Sequence, residues 1–224
     1  MNKLFPQTFS YHTFESADGT DESLNPVIFL HSLWSTKEMW EDIPQIIADK
    51  TKRKTYAYDA RNFGGSGYSD VFHSDLNIDD LFYFMDNIKV SKAIIVGHSM
   101  GGITACRAAL KKAYFDEKNN YFENILKREL DGSYDVSFNK DVIVKALKNY
   151  DTLVSDPRGV FAGPAYFLYG SRSFMQVGAD EENIKKHFPN AELIKFEGVS
   201  HNIHAEGREK FLNIIVDCLT QQKY

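Results

Sequence analysis

One hexapeptide decides the fold: Gly97-His98-Ser99-Met100-Gly101-Gly102, which stands between an apolar run at residues 93–96 and a stretch of helical spacing at residues 103–110. A serine flanked by glycines in a tight strand-to-helix turn is typical of a nucleophile elbow, because the glycines let the backbone pass where a β-carbon would clash. A glycine-rich turn with a capping serine is the alternative. The strand before it and the helix after it favour the elbow, with Ser99 as nucleophile.

Apolar runs of strand length alternate with helical patterns on both sides of this turn. Strands are predicted at residues 27–30, 55–58, 93–96, 165–169 and 192–196, and helices around residues 39–47, 76–85 and 103–110. Strands that are apolar on both faces belong to parallel sheets covered by helices on both sides. The sequence therefore predicts an α/β fold with a mostly parallel sheet, as one domain over residues 1–224.

The alternation fails after the helix that follows Ser99. A strand-helix-strand unit takes about 30 residues, yet the stretch after this helix is polar and helix-like and contains the turn signal Asp131-Gly132. We predict a helical insertion or cap at about residues 113–162, and one sheet strand missing. Its aromatic residues fit an apolar cap over the site, or simply core: Tyr121, Phe122, Tyr134, Phe138 and Tyr150.

Composition excludes several classes of protein. The 224 residues are 43% hydrophobic and 14% aromatic, which is enough for a sizeable core, and the net charge of −5 provides no basic surface for nucleic acid or anionic lipid. No apolar run approaches the roughly 18 residues of a membrane span, and neither cysteine has a metal-ligand spacing. We expect no cofactor and no metal. The first residues lack the features of a secretion or organelle signal, which makes a cytosolic location the default expectation.

A serine hydroxyl needs a base within hydrogen-bond reach to attack an acyl carbon. His201 comes directly after the last predicted strand, in a loop on the same sheet edge as Ser99. His204, one turn later, is its main rival, and a solvent-exposed loop histidine is the alternative interpretation of His201. The other histidines end a strand, adjoin the serine or lie in surface-like segments: His31, His98, His12, His73 and His187.

The oxyanion formed by acyl transfer needs backbone donors. The N–H of Met100, at a helix N-terminus, is one candidate, and Leu33, in the loop His31-Ser32-Leu33-Trp34-Ser35, is the other. A plain strand-ending loop is the alternative for the second. The segment Asp59-Ala60-Arg61-Asn62 lacks the glycine spacing and lysine of a phosphate loop, so we predict a structural turn there.

These motifs resemble the α/β-hydrolase superfamily, which combines a histidine in the first loop, Asp-Ala-Arg-Asn after the next strand and Gly-His-Ser-Met-Gly-Gly at the elbow. More closely, the chain resembles the α/β-hydrolase-domain-containing protein eleven group over residues 10–110 and in segments between residues 130 and 205. The resemblance implies a mitochondrial serine hydrolase of lipid esters such as diacylglycerol. It also implies a small acyl or lipid ester substrate, and leaves a protein partner open.

Three departures from the family's pattern bear on activity. The family has glycine where this chain has Ser32, whose β-carbon is expected to crowd the oxyanion hole. The family's strand after the elbow helix, which ends in an aspartate, is the strand missing here. Many α/β-hydrolases carry the triad acid after the penultimate strand, where this chain reads Gly170-Ser171-Arg172-Ser173.

Two residues are candidates to orient His201. The resemblance places the family's charge-relay aspartate on Asp141, although an acid at a helix start is also favoured by capping and by the helix dipole. Ser173 is the candidate hydrogen-bond partner at the post-strand position. The sequence thus predicts a serine ester hydrolase with Ser99, His201 and Asp141 as its catalytic residues.

A catalytically impaired hydrolase-like module, or a shortened isoform with a protein-interaction role, is the competing hypothesis. The missing strand and the serine at position 32 favour it. Epoxide and haloalkane hydrolase chemistry is disfavoured, because those reactions require an aspartate where Ser99 stands.

Overall fold

The structure is a computed structural model that describes residues 8–118, 140–148 and 157–221. Helices and strands alternate in it and most neighbouring strands are parallel, so the predicted α/β class is confirmed. The described residues form two compact units, residues 8–108 with 140–148 and residues 109–118 with 157–221. The prediction of a single domain over residues 1–224 stays a prediction.

The first unit is built on a four-stranded sheet. Its strands are β1 (Tyr11–Phe14), β2 (Val27–Leu30), β3 (Thr55–Tyr58) and β4 (Ile94–Gly97), in the order β1-β3-β2-β4. All pairs are parallel except β1 with β3. β2 and β3 coincide with the predicted strands and are buried at every position, because parallel strands at the centre of a sheet need apolar residues on both faces. β1 is a mostly exposed edge strand that the sequence patterns did not predict.

Helices cover this sheet. They are a 3-10 helix (Lys37–Trp40), α1 (Ile43–Thr51), α2 (Ser74–Asn87), α3 (Met100–Lys118) and α4 (Lys140–Leu147). A core cluster packs the apolar face of α2, including Leu81 and Phe84, against Ile28 and Tyr58 of the sheet. The rings of Tyr58 and Phe84 stack with their centroids 4.6 Å apart. The core fixes the carboxyl ends of β2, β3 and β4 beside one another.

The second unit holds a parallel pair of strands. β5 (Ala165–Gly170) and β6 (Ala191–Phe196) match the predicted strands to within one residue. They are accompanied by a 3-10 helix (Val177–Asp180), α5 (Glu181–His187), α6 (Ile203–Glu206) and α7 (Arg208–Gln221). Among the residues that the structure describes, β5 is the next strand after β4. The predicted shortfall of one strand falls on a stretch that lies mostly outside the described residues, so it stays a prediction.

The predicted insertion at residues 113–162 lies mostly outside the described residues, as do the aromatic residues named for the cap. Its described parts are the end of α3, α4 and residues 157–162. α4 packs Ile143, with Val142 and Ala146 beside it, against Phe63 and Phe72 of the first unit. No helix within the described ranges combines the length and apolar character needed to span a bilayer.

Candidate active site

Ser99 occupies the turn between β4 and α3. Only His98 and Ser99 separate the last residue of the strand from the first residue of the helix. The backbone of Ser99 has φ 53°, in the left-handed region that residues with a β-carbon seldom adopt and that recurs at functional sites. The Ser99 carbonyl accepts the Ile103 N–H at 2.9 Å and so opens the hydrogen-bond ladder of α3.

Close backbone packing explains the glycines around Ser99. A β-carbon at Gly97 would collide with the carbonyl of Gly101, and one at Gly101 would collide with the carbonyl of Leu30. The His98 N–H donates to the Leu30 carbonyl at 3.1 Å and ties the turn to the end of β2. The chain can therefore make this tight turn only with glycine at positions 97 and 101.

Leu33 and Met100 lie against the same apolar cluster. Both pack on the buried group formed by Phe63, Phe72 and Ile143. Met100 is the first residue of α3, and the first N–H groups of a helix have no acceptor within the helix. The structure thus brings the two predicted oxyanion donors to one cluster, while their role as donors stays a prediction.

Ser32 is accommodated beside a thioether. Its N–H donates to Met39 Sδ at 3.3 Å, and its Oγ lies 3.7 Å from the same sulfur. The side chain is half-buried. Ser32 therefore contacts Met39, and its expected effect on the oxyanion hole stays a prediction.

His31 is a buried histidine that connects two loops, a role that no pattern in the sequence indicates. The imidazole is 1% exposed. Its Nε2 accepts the Ala60 N–H at 2.9 Å, so this nitrogen carries no proton. Nδ1 therefore holds the proton and donates it to the Ser32 carbonyl at 2.8 Å. Burial lowers the pKa of His31, because the protonated ring would lose its hydration, and the ring is neutral.

The Asp-Ala-Arg-Asn segment forms a structural turn, as predicted. The carboxylate of Asp59 is fully buried and accepts the Lys37 N–H at 2.8 Å, Lys37 Nζ at 2.9 Å and the Gly65 N–H at 3.0 Å. The Arg61 guanidinium forms a buried bidentate pair with Asp80, at 2.5 and 2.6 Å. These contacts join the loops after β2 and β3 to each other and to α2.

His201 follows β6 in the second unit and is paired with a hydroxyl. Its Nδ1 lies 3.1 Å from Ser173 Oγ, and the exposed Phe174 ring lies with its centroid 4.6 Å from that of the imidazole. Ser173 Oγ also accepts the Met175 N–H at 3.2 Å. Partial burial lowers the pKa of His201. Ser173, one of the two candidate partners of His201, is therefore at hydrogen-bond distance from it.

Hydrogen bonds and one close backbone contact hold the loop that carries His201. The Arg172 N–H donates to the Val199 carbonyl at 3.0 Å, and Gly170 lacks the β-carbon that would collide with the carbonyl of Ser200. Glu206 accepts the Ser200 N–H at 3.0 Å and also its hydroxyl. No sequence pattern indicates Glu206, because it is an exposed acid in a short helix.

The remaining candidates occupy different surroundings. Asp141 is exposed in the first turn of α4, where a negative charge is favoured by the helix dipole. His204, the rival of His201, is buried in α6. In the described part of the chain, no group of three or more His, Cys, Asp or Glu side chains is placed to hold a metal.

Comparisons with known proteins agree with the resemblance seen in the sequence. The model of the alpha/beta hydrolase family matches residues 27–192. The sn-1-specific diacylglycerol lipase ABHD11 of Danio rerio is 25% identical over 98% of this chain and 84% of its own length. The protein of the same name from Mus musculus is 22% identical over 96% of this chain and 86% of its own length.

The alignment with the Danio rerio protein also shows how many aligned positions this chain lacks. The alignment is 279 residues long, whereas the chain has 224 residues. At least 55 aligned positions, the difference between these two lengths, are therefore gaps in this chain. Together these gaps exceed the roughly 30 residues of a strand-helix-strand unit.

Solved structures share the fold. A marine microorganism esterase is 24% identical, with a TM-score of 0.72 over 93% of this chain and 98% of its own. The enol-lactonase from Burkholderia xenovorans LB400 is 16% identical, with a TM-score of 0.66 over 95% of this chain and 96% of its own. Since the family model covers well over half of the residues, the chain belongs to the alpha/beta hydrolase family.

Proposed function

We propose that the protein is a serine carboxylic ester hydrolase that acts on acyl or lipid esters, including diacylglycerol-like substrates, through an acyl-enzyme intermediate. The observation that carries this proposal is the turn at Ser99, with its left-handed backbone between glycines that tolerate no side chain. Such a turn is the nucleophile elbow of α/β-hydrolases. The diacylglycerol lipases among the relatives support the lipid-ester class.

The proposed reaction has two halves. Ser99 Oγ attacks the ester carbonyl while Nε2 of His201 takes its proton, and the N–H groups of Leu33 and Met100 bind the oxyanion. The tetrahedral intermediate expels the alcohol, which receives that proton from His201, and leaves an acyl-Ser99 ester. Water then attacks this ester with His201 again as base, releasing the carboxylic acid and restoring Ser99.

His201 requires a partner that leaves Nε2 free to accept the proton. In our proposal its Nδ1–H donates to Ser173 Oγ, which lies 3.1 Å away. A neutral hydroxyl fixes the tautomer but stabilises the imidazolium less than a carboxylate does. Asp141 is the alternative partner proposed from the resemblance.

A fluorophosphonate probe tests the function. The probe is expected to label the folded protein stoichiometrically, and the label to disappear in Ser99→Ala, because only an activated serine reacts with it at a useful rate. Intact-protein mass spectrometry measures the adduct, and Ser23→Ala, at an exposed serine bonded to Asp21, serves as a matched serine control that keeps the label. A folded protein that stays unlabelled would instead favour the non-catalytic, interaction-module hypothesis.

The rate of ester hydrolysis is expected to fall in mild acid with an apparent pKa below the ordinary 6.5 of histidine. His201 must be neutral to accept the Ser99 proton, and its burial lowers its pKa. The base is therefore fully available at neutral pH and is lost as the pH falls through that lowered value. A profile of kcat/KM against pH measures this fall, the acid limb of the profile. An apparent pKa above 6.5 would contradict the assignment of His201 as the base.

Substituting the residue beside Nδ1 sharpens this test. Ser173→Asp places a carboxylate against the imidazole and is expected to move the acid limb to higher pH, since a nearby negative charge favours the protonated ring. Asp141→Asn is expected to leave the limb in place. A shift of the limb in Asp141→Asn, without one in Ser173→Asp, would make Asp141 the partner.

A further inference from the structure

One peptide unit links a buried histidine to the proposed oxyanion hole. The Ser32 carbonyl, which accepts the His31 Nδ1–H at 2.8 Å, belongs to the same peptide group as the N–H of Leu33. The described residues contain no cis peptide bond, and in a trans peptide the C=O and N–H point in opposite directions. The hydrogen bond from His31 therefore also sets the direction of the Leu33 N–H.

The ring that makes this hydrogen bond is itself held in one orientation. Its Nε2 accepts the Ala60 N–H at 2.9 Å, in the loop after β3. Phe63 lies edge-on to the imidazole, with the ring centroids 5.1 Å apart. The loop that holds Ala60 is anchored in turn by the buried Asp59, which binds Lys37. The ring thus has a fixed position, a fixed tautomer and a single donor, and that donor is aimed at Ser32.

We propose that His31 is a positioning residue of the reaction, which aims the Leu33 N–H at the oxyanion by holding the Ser32 carbonyl. The inference rests on the proposed function. It adds a residue that does not touch the substrate, and it explains why a polar side chain is kept at a fully buried position. A preorganised donor costs no reorganisation during the reaction, which is why oxyanion donors raise the rate so strongly.

The expected effect is on the rate of chemistry. Removing an oxyanion donor lowers kcat by about 100- to 1000-fold. A donor that is misdirected, not removed, is expected to lower kcat by about 10- to 100-fold, on the same scale. KM is expected to change little, because the interaction strengthens in the transition state.

Three substitutions of His31 distinguish the contribution of its Nδ1 hydrogen bond to kcat from that of its Nε2 hydrogen bond. Asn supplies an amide N–H near the position of Nδ1, Gln supplies an amide oxygen near that of Nε2, and Leu supplies neither. His31→Asn is expected to keep most of kcat, whereas His31→Gln and His31→Leu lose it. The measurements are kcat and KM on a soluble short-chain ester, with thermal unfolding to separate rate from stability. His12→Asn, at an exposed histidine of the same unit, is the matched control and is expected to keep the wild-type rate.

The possible results distinguish a wrong role for His31 from a wrong proposed function. Equal losses of kcat in folded His31→Asn and His31→Leu, or an unchanged kcat in folded His31→Leu, overturn the role of His31 while the hydrolase assignment stands. A wild-type protein that neither hydrolyses esters nor reacts with the fluorophosphonate overturns the proposed function, and the positioning role with it. If the Leu variant does not fold, the comparison of the Asn and Gln variants decides.

Discussion

Ester hydrolysis by His201→Ala is expected to be slower than that of the wild-type protein by about two to four orders of magnitude in kcat/KM, the scale of general acid–base catalysis. The imidazole has two roles, as base toward Ser99 and as acid toward the leaving alcohol, and both are lost together. KM is expected to stay within a few-fold of wild type, since the imidazole binds no ground-state group in this proposal.

His204→Ala is the matched control for this experiment. It removes the same chemical group three residues later, from a buried position in α6. We expect it to lower the unfolding temperature and to leave kcat near the wild-type value below that temperature. Added imidazole provides a second check, because it can enter the space left in His201→Ala and restore part of the rate. An unchanged rate in His201→Ala would refute the assignment of the base to His201, and a larger loss in His204→Ala would assign the base to His204.

The strands that are buried on both faces of the sheet could be predicted from the sequence. β2 and β3 are buried at all four positions, and their apolar runs gave their bounds correctly. β1 escaped prediction because an exposed edge strand needs no apolar alternation, and its register depends on pairing with β3 across more than forty residues of chain. The break in the strand-helix alternation falls on residues 113–162, most of which lie outside the described ranges, so the missing strand stays a prediction.

The site was predictable where backbone geometry restricts the residue type. The turn at Ser99 was predicted through Gly97 and Gly101, whose positions leave no space for a β-carbon. His31 was not, because its role follows from contacts with Ser32 and with a loop 29 residues away. The pattern of apolar and polar residues in a sequence does not predict which nitrogen of an imidazole holds the proton, or which carbonyl accepts it.

Asp80→Ala is expected to destabilise the protein by about 3–5 kcal/mol, which is the cost of leaving one partner of a buried ion pair alone. Arg61 and Asp80 are at most 1% exposed and form two hydrogen bonds, at 2.5 and 2.6 Å. Without the carboxylate, the guanidinium is left charged in a site with little water. Denaturant unfolding, followed by circular dichroism, measures the loss of unfolding free energy.

The same helix supplies the matched control for the buried pair. Asp75 of α2 binds Arg107 at 2.7 Å, but its side chain is 45% exposed, so Asp75→Ala is expected to cost at most about 1 kcal/mol. The double variant Arg61→Met with Asp80→Leu is expected to be more stable than Asp80→Ala alone, because no charge stays buried without its partner. Similar losses in Asp80→Ala and Asp75→Ala would show that water reaches Arg61. In that case the contact between Asp59 and Lys37 would hold the turn after β3. The orientation of His31 depends on the position of Ala60, and that position would then not require the buried pair of Arg61 and Asp80.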